Sequence, residues 1–177
     1  GLADEELSLI FISDTHYGEL VLPQHTSGLS EFNKDIFIQR RDRYMETLDK
    51  LVNGHLRKVY PLKKAYVVYL GDNLSGEDIF SKQLARLDRT LMYQMTEGAV
   101  YLSQLLRYIC GMYEEVYAIF VPGNHGDQKA TTLNSDVILS LFMALLLQNQ
   151  PNLNVVLSDS ELCGVYLNQK LGLLPWP

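Results

Sequence analysis

Cysteine is scarce in this chain: Cys110 and Cys163 are the only two in 177 residues, and they form no C-x-x-C pair. That excludes a disulfide framework and a zinc ribbon, and it fits a reducing compartment, so a cytoplasmic location is expected. Cys110 lies in an apolar helical run and reads as a small core residue. Long hydrophobic runs are missing too. The longest, Leu139 to Leu147, makes about two turns of helix, too short to span a bilayer. The N-terminal residues lack the basic-then-apolar order of a secretory signal. Positive charge is in deficit, with 15 Lys and Arg against 21 Asp and Glu and a net charge of -6. A surface of that sign does not coat polyanions generally, although bound divalent cations reverse the local sign at an acidic site. Histidine is rare as well: His16, His25, His55 and His125 are all there is, and none follows position 125.

What is present is ordinary for a globular domain, with 47% hydrophobic and 20% charged residues. The length suits one domain with a real core. Apolar runs at 7–12, 65–70 and 116–121 read as buried strands. Residues 18–34, with Gly18, Pro23, Ser27, Gly28 and Asn33, read as a loop. Helical spacing starts at about Asp35, with Phe37, Tyr44, Leu48, Leu51 and His55 along one face. A longer helical stripe runs from Lys82 to Met112, with Gly98 a candidate interruption or helix break. Another helix is expected over 135–148, with Ser135 and Asp136 as its cap residues. Short strands are expected at 154–157 and 165–167. The alternation predicts an α/β chain built on a largely parallel sheet.

Ligand sites in such sheets lie beyond the carboxyl ends of the strands. Here three predicted strands end on polar clusters: Asp14-Thr15-His16, Gly71-Asp72-Asn73 and Gly123-Asn124-His125. Side chains of Asp, His and Asn offer mixed oxygen and nitrogen donors, which suit Mn, Fe, Zn or Mg better than a thiolate-loving metal. A carboxylate such as Asp72 is able to bridge two cations. Two cations about 3.5–4 Å apart clamp the attacking and leaving oxygens of a displacement at phosphorus. The glycines at 71 and 123 leave room for sharp turns and close backbone approach.

In order and type these clusters resemble the first three motifs of the calcineurin-like metallophosphoesterases. The wider context, S-D-T-H-Y-G-E, L-G-D-N-L-S-G-E and V-P-G-N-H-G, is similar to phage- and mobile-element-associated members grouped with nucleases and DNA-repair phosphoesterases. The resemblance covers about residues 7–150. It implies a metallophosphoesterase-like β-sandwich flanked by helices. It also implies that Asp14 and His16 bind a first metal, Asp72 bridges, Asn124 binds a second, and His125 stabilises or protonates the leaving oxygen. The metal implied is a divalent cation, Mn first, with up to two in a complete site. The family adds a later histidine and a G-H-x-H motif that these residues do not contain. The C-terminal part of the fold is therefore expected to be missing. In that case one metal at most is well held, and uncovered apolar surface favours self-association or a partner chain.

Other polar residues carry blander expectations. Asn73 and Asp127 are candidates for supporting the ligands or His125, each against an ordinary turn role. His25 is expected on the surface, and His55 to be structural. Arg40, Arg41 and Arg43 form a basic turn that reads as a solvated helix face. The leading activity is metal-dependent hydrolysis of phosphoesters, with nucleic-acid phosphodiesters favoured. A small-molecule phosphatase or cyclic-nucleotide phosphodiesterase is the alternative, and a catalytically silent interaction module the third reading.

Overall fold

The strand-helix alternation forms a four-stranded parallel sheet with three helices. The computed structural model describes residues 6–79, 81–127, 132–158 and 160. The chain runs β1 (Glu6–Ile12), α1 (Lys34–Val52), β2 (Leu62–Tyr69), α2 (Leu91–Cys110), β3 (Glu115–Phe120), α3 (Ser135–Leu146) and β4 (Leu153–Leu157). The strands lie in sequence order, each parallel to the next. Right-handed crossovers between strands in that order put every helix on one side of the sheet. Burial agrees: Ile10, Val67, Tyr69, Val116, Ala118 and Phe120 join Phe37, Leu102, Leu106, Leu139 and Met143 in one core. On the opposite face Leu9 and Phe11 are 45% and 59% exposed. Tyr66 and Tyr117 stack there at 4.9 Å between ring centroids.

The α/β class and the parallel sheet are as the sequence predicts. The described residues contain a single sheet, and residues 165–167, where a further strand is expected, lie outside them. Two boundaries differ from expectation. The stripe from Lys82 begins as a helix only at Leu91, because residues 86–88 bond to the loop after β1: Arg86 O accepts from Leu20 N, and Asp88 N donates to Gly18 O. Gly98 does not interrupt α2. It is buried inside the helix, where a Cβ would press on Leu74 and Tyr17, so the glycine is there for close packing. The cap of α3 is Asn134, whose Oδ1 accepts from Asp136 N at 2.9 Å, and not Ser135 or Asp136. Likewise Asn33 caps α1 through Ile36 N at 3.0 Å. His55 lies beyond α1 in an exposed turn, off the helical face expected for it.

Cys110 is buried as expected, and burial pushes its thiol pKa up to about 11. No helix among the described residues is long and apolar enough to cross a membrane.

Candidate functional site

β1, β2 and β3 are adjacent and in register, so their carboxyl ends release the three polar clusters side by side. Backbone hydrogen bonds continue past the sheet and stitch the first two clusters together. Asp14 N donates to Gly71 O at 3.2 Å, His16 N to Asp72 O at 3.2 Å, and Tyr17 N to Asn73 O at 2.9 Å. The Thr15 hydroxyl adds a 2.8 Å bond to Asn73 O. The third cluster joins through a side chain: His125 N donates to Asp72 Oδ1 at 2.8 Å.

Asp14, His16 and Asp72 all have left-handed backbone, with φ of 52°, 42° and 50°. Outside glycine that region is sparsely occupied, and it costs about 1–2 kcal/mol per residue. Three such residues at adjacent strand ends form a strained ridge of the kind that gathers at functional sites. Glycine is required beside them. A Cβ on Gly71 would run into the Gly123 backbone, and one on Gly123 into Asp72. The expectation of close backbone approach at both glycines is met.

The carboxylate that holds these loops in place carries no local mark of that role. Asp136, in the first turn of α3, is buried and accepts three backbone N–H bonds: from Asp72 at 2.8 Å, Asn73 at 3.2 Å and Gly123 at 3.0 Å. Burial, assisted by the Asp72 charge, raises its pKa above the ordinary carboxylate range, while the three amides pull the other way. Sequence reasoning marked Asp136 only as a helix-cap residue, since its partners lie 13 to 64 positions away. Buried glutamines do similar work on the loop after β2. Gln94 bonds both the N–H and the carbonyl of Gly76, and Gln83 bonds Ser75 O and Ile79 N.

Below the first cluster, Tyr17 is wholly buried against Phe37 and Tyr101. Its hydroxyl donates to Glu97 Oε2 at 2.6 Å, which also receives Lys34 Nζ at 3.0 Å and Arg89 Nε at 3.2 Å. Burial and the neighbouring Glu97 raise the Tyr17 pKa far above its ordinary value. Burial alone would raise Glu97, but hydrogen bonds from Tyr17, Lys34 and Arg89 outweigh it and hold the carboxyl below its ordinary range.

The rings of His16 and His125 meet edge-on, with centroids 4.7 Å apart, and His16 Nε2 lies 3.8 Å from Asp14 Oδ1. His125 Nδ1 is 3.0 Å from Ser75 O, an acceptor only, so Nδ1 carries the hydrogen in the neutral ring. Asn124 is exposed on the turn Asn124–Gly126. Asn73 is 3% exposed, and its Oδ1 is a buried oxygen with no hydrogen-bond partner. Asp127 is exposed and accepts from Asn134 Nδ2 at 2.9 Å, which ties it to the cap of α3. His25 is exposed, as expected.

Among the described residues, no group of three or more His, Cys, Asp or Glu side chains stands close enough to form a ready-made metal cluster. What is brought together is the Asp14-His16 pair, the His16 and His125 rings, and Asp72 tied to His125. That donor set, oxygen with some imidazole and no thiolate, suits a hard or borderline divalent cation. The side-chain Oδ1 of Asn73, the residue after Asp72, is buried without a hydrogen-bond partner, and a cation within its reach would satisfy it. No family model matches the chain, and no curated protein matches it.

Proposed function

We propose that the three strand-end clusters form a divalent-metal site for phosphoester hydrolysis, with Asp14, His16 and Asp72 as its main ligands and Asn124 at its open side. The observation that carries this reading is the left-handed backbone at all three of those ligands, on loops knitted to one another and to Asp136. A cation bound there would neutralise phosphoryl charge and acidify a water molecule. His125 is held at the same strand ends through its N–H on Asp72 and its Nδ1 on Ser75. That matches a residue that protonates or stabilises a leaving oxygen. A nucleic-acid phosphodiester is the favoured substrate, by the resemblance of the motifs. A small-molecule phosphoester is the alternative, and a module that binds metal without turnover is the third reading.

Mn is the test ion. Saturating Mn should raise the melting temperature, by about 2.7 kcal/mol of stability at a hundredfold excess over Kd. Asp72→Asn should remove most of that gain. The described side chains gather only one compact ligand pair, so near one Mn per chain and slow turnover of bis-p-nitrophenyl phosphate are expected. A panel that adds p-nitrophenyl phosphate and single- and double-stranded DNA separates the substrate classes. Melting that ignores Mn in the wild-type chain would end the proposal.

A further inference from the structure

Beside the first cluster lies an open cavity of about 480 Å³, within the roughly 300–1,000 Å³ range of small-molecule sites. Asp14 and His16 line it, as do Arg40 and Arg41 from α1. The two arginines differ. Arg41 is spent: it bonds Asp42 and Gln104. Arg40 is exposed, with its guanidinium 5.2 Å from the centre of the Phe32 ring, and no ion pair or hydrogen bond engages it among the described residues. Phe32 is itself fixed by paired backbone bonds to Val21, at 2.8 and 3.0 Å, so the guanidinium and ring form a prepared surface.

An unspent guanidinium recognises a phosphate oxygen by charge-assisted hydrogen bonds. The Phe32 ring, overlain by that guanidinium, lines the same cavity and offers its remaining aromatic surface to a flat ring. Glu19 and Glu31 also line the cavity, and their carboxylates are acceptors for amino groups. Phosphate alone would leave the ring face and the carboxylates unused, and it would meet repulsion from them. A neutral aromatic molecule would leave Arg40 unanswered. A base joined to a phosphate meets all three features, and the geometry points to a nucleotide subsite here: Arg40 on a phosphate, Phe32 against the base, the neighbouring phosphoester toward Asp14 and His16. The inference rests on the phosphoesterase reading for the direction of the substrate, but not for binding itself.

The probe is adenosine 5′-monophosphate, titrated into the chain by calorimetry in EDTA, so that binding is read without metal. Ribose 5-phosphate and inorganic phosphate are the comparison ligands. Saturable binding of the nucleotide is expected, with both comparison ligands weaker. Arg40→Ala should weaken it about tenfold, as for a hydrogen bond to a charged group. Arg43→Ala, on the same helix but outside the cavity, should leave it unchanged. Both substitutions are at exposed positions, and thermal melting confirms folding. Equal loss in the Arg40 and Arg43 variants, or no saturable nucleotide binding, overturns the subsite. Phosphate bound as tightly as the nucleotide also overturns it. Mn uptake is measured separately: a chain that takes Mn but no nucleotide loses the subsite alone, and one that binds nucleotide through Arg40 without Mn uptake loses the phosphoesterase reading alone.

Discussion

Asp136 shows how much one side chain does for loops that carry other residues' chemistry. Its Oδ2 accepts from Asp72 N and Gly123 N, and its Oδ1 from Asn73 N, so a single carboxylate sets the spacing of two strand-end loops. Asp72 and Gly123 follow different strands, and the gap between them is too small for a Cβ at Gly123. Asp136→Ala strands three partly or wholly buried amides, each stranded donor costing about 1–3 kcal/mol. Asp136→Asn keeps one acceptor oxygen, so it should fall between wild type and alanine. Chemical denaturation read beside Mn titration checks this. The expected order is wild type, then Asn, then Ala, in both stability and Mn affinity. An alanine variant as stable as wild type would mean that those amides have other partners. The motif residues themselves were legible, because Asp14-x-His16, Gly71-Asp72 and Gly123-Asn124-His125 each follow an apolar strand. Asp136 was not, since an aspartate in a helix's first turn is common and nothing local marks its distant partners.

Between elements, the join that matters most for the site is the one that fastens the loop after β1 onto α1 and α2. Tyr17 comes from the loop, Lys34 from the first turn of α1, Arg89 from just before α2, and Glu97 from within α2, where it collects all three. The Glu97 side chain is about 30% exposed, so solvent screens part of the effect. Its folded pKa lies below the unfolded value of 4.5. The folded state therefore holds its charge more strongly than the unfolded state does. The stability this confers is present above pH 4.5 and is lost as pH falls through the lower folded pKa. Glu97→Gln should flatten the acid limb of the stability curve and lower stability near neutrality, with both curves converging at low pH. Urea midpoints taken from pH 7 down to pH 3 supply the comparison, and parallel curves would show that Glu97 does not titrate differently on folding. Helix positions were readable from apolar periodicity, but the start of α2 was not. Leu84 and Leu87 continue the stripe by spacing, yet this stretch pairs with residues 18–20 and only Gln83–Arg86 winds, into a 3-10 turn. Local periodicity carries no information about a competing partner 66 residues upstream.

Among the described residues the core cluster lies on the helix side of the sheet. Parallel sheets are ordinarily covered on both faces, and their strands then read as continuous apolar runs. The runs at β1, β2 and β3 have that character, which is why the sheet was legible from sequence. The runs do not say which face the helices cover. That follows from right-handed crossovers between strands in the order β1-β2-β3-β4. Alternate residues therefore have unequal weight, although their hydrophobicity is alike. Leu106 is fully buried where α2 meets the sheet, whereas Phe11, on β1, is 59% exposed on the far face. Leu106→Ala should cost about 2–5 kcal/mol, the range for deleting a buried leucine side chain. Phe11→Ser removes a larger ring but should cost well under about 1 kcal/mol, as at exposed positions generally. Denaturant midpoints for the two variants decide it. If Phe11→Ser proves as costly as Leu106→Ala, the face bearing Leu9 and Phe11 is packed in solution against further protein, and the sheet is covered on both sides after all.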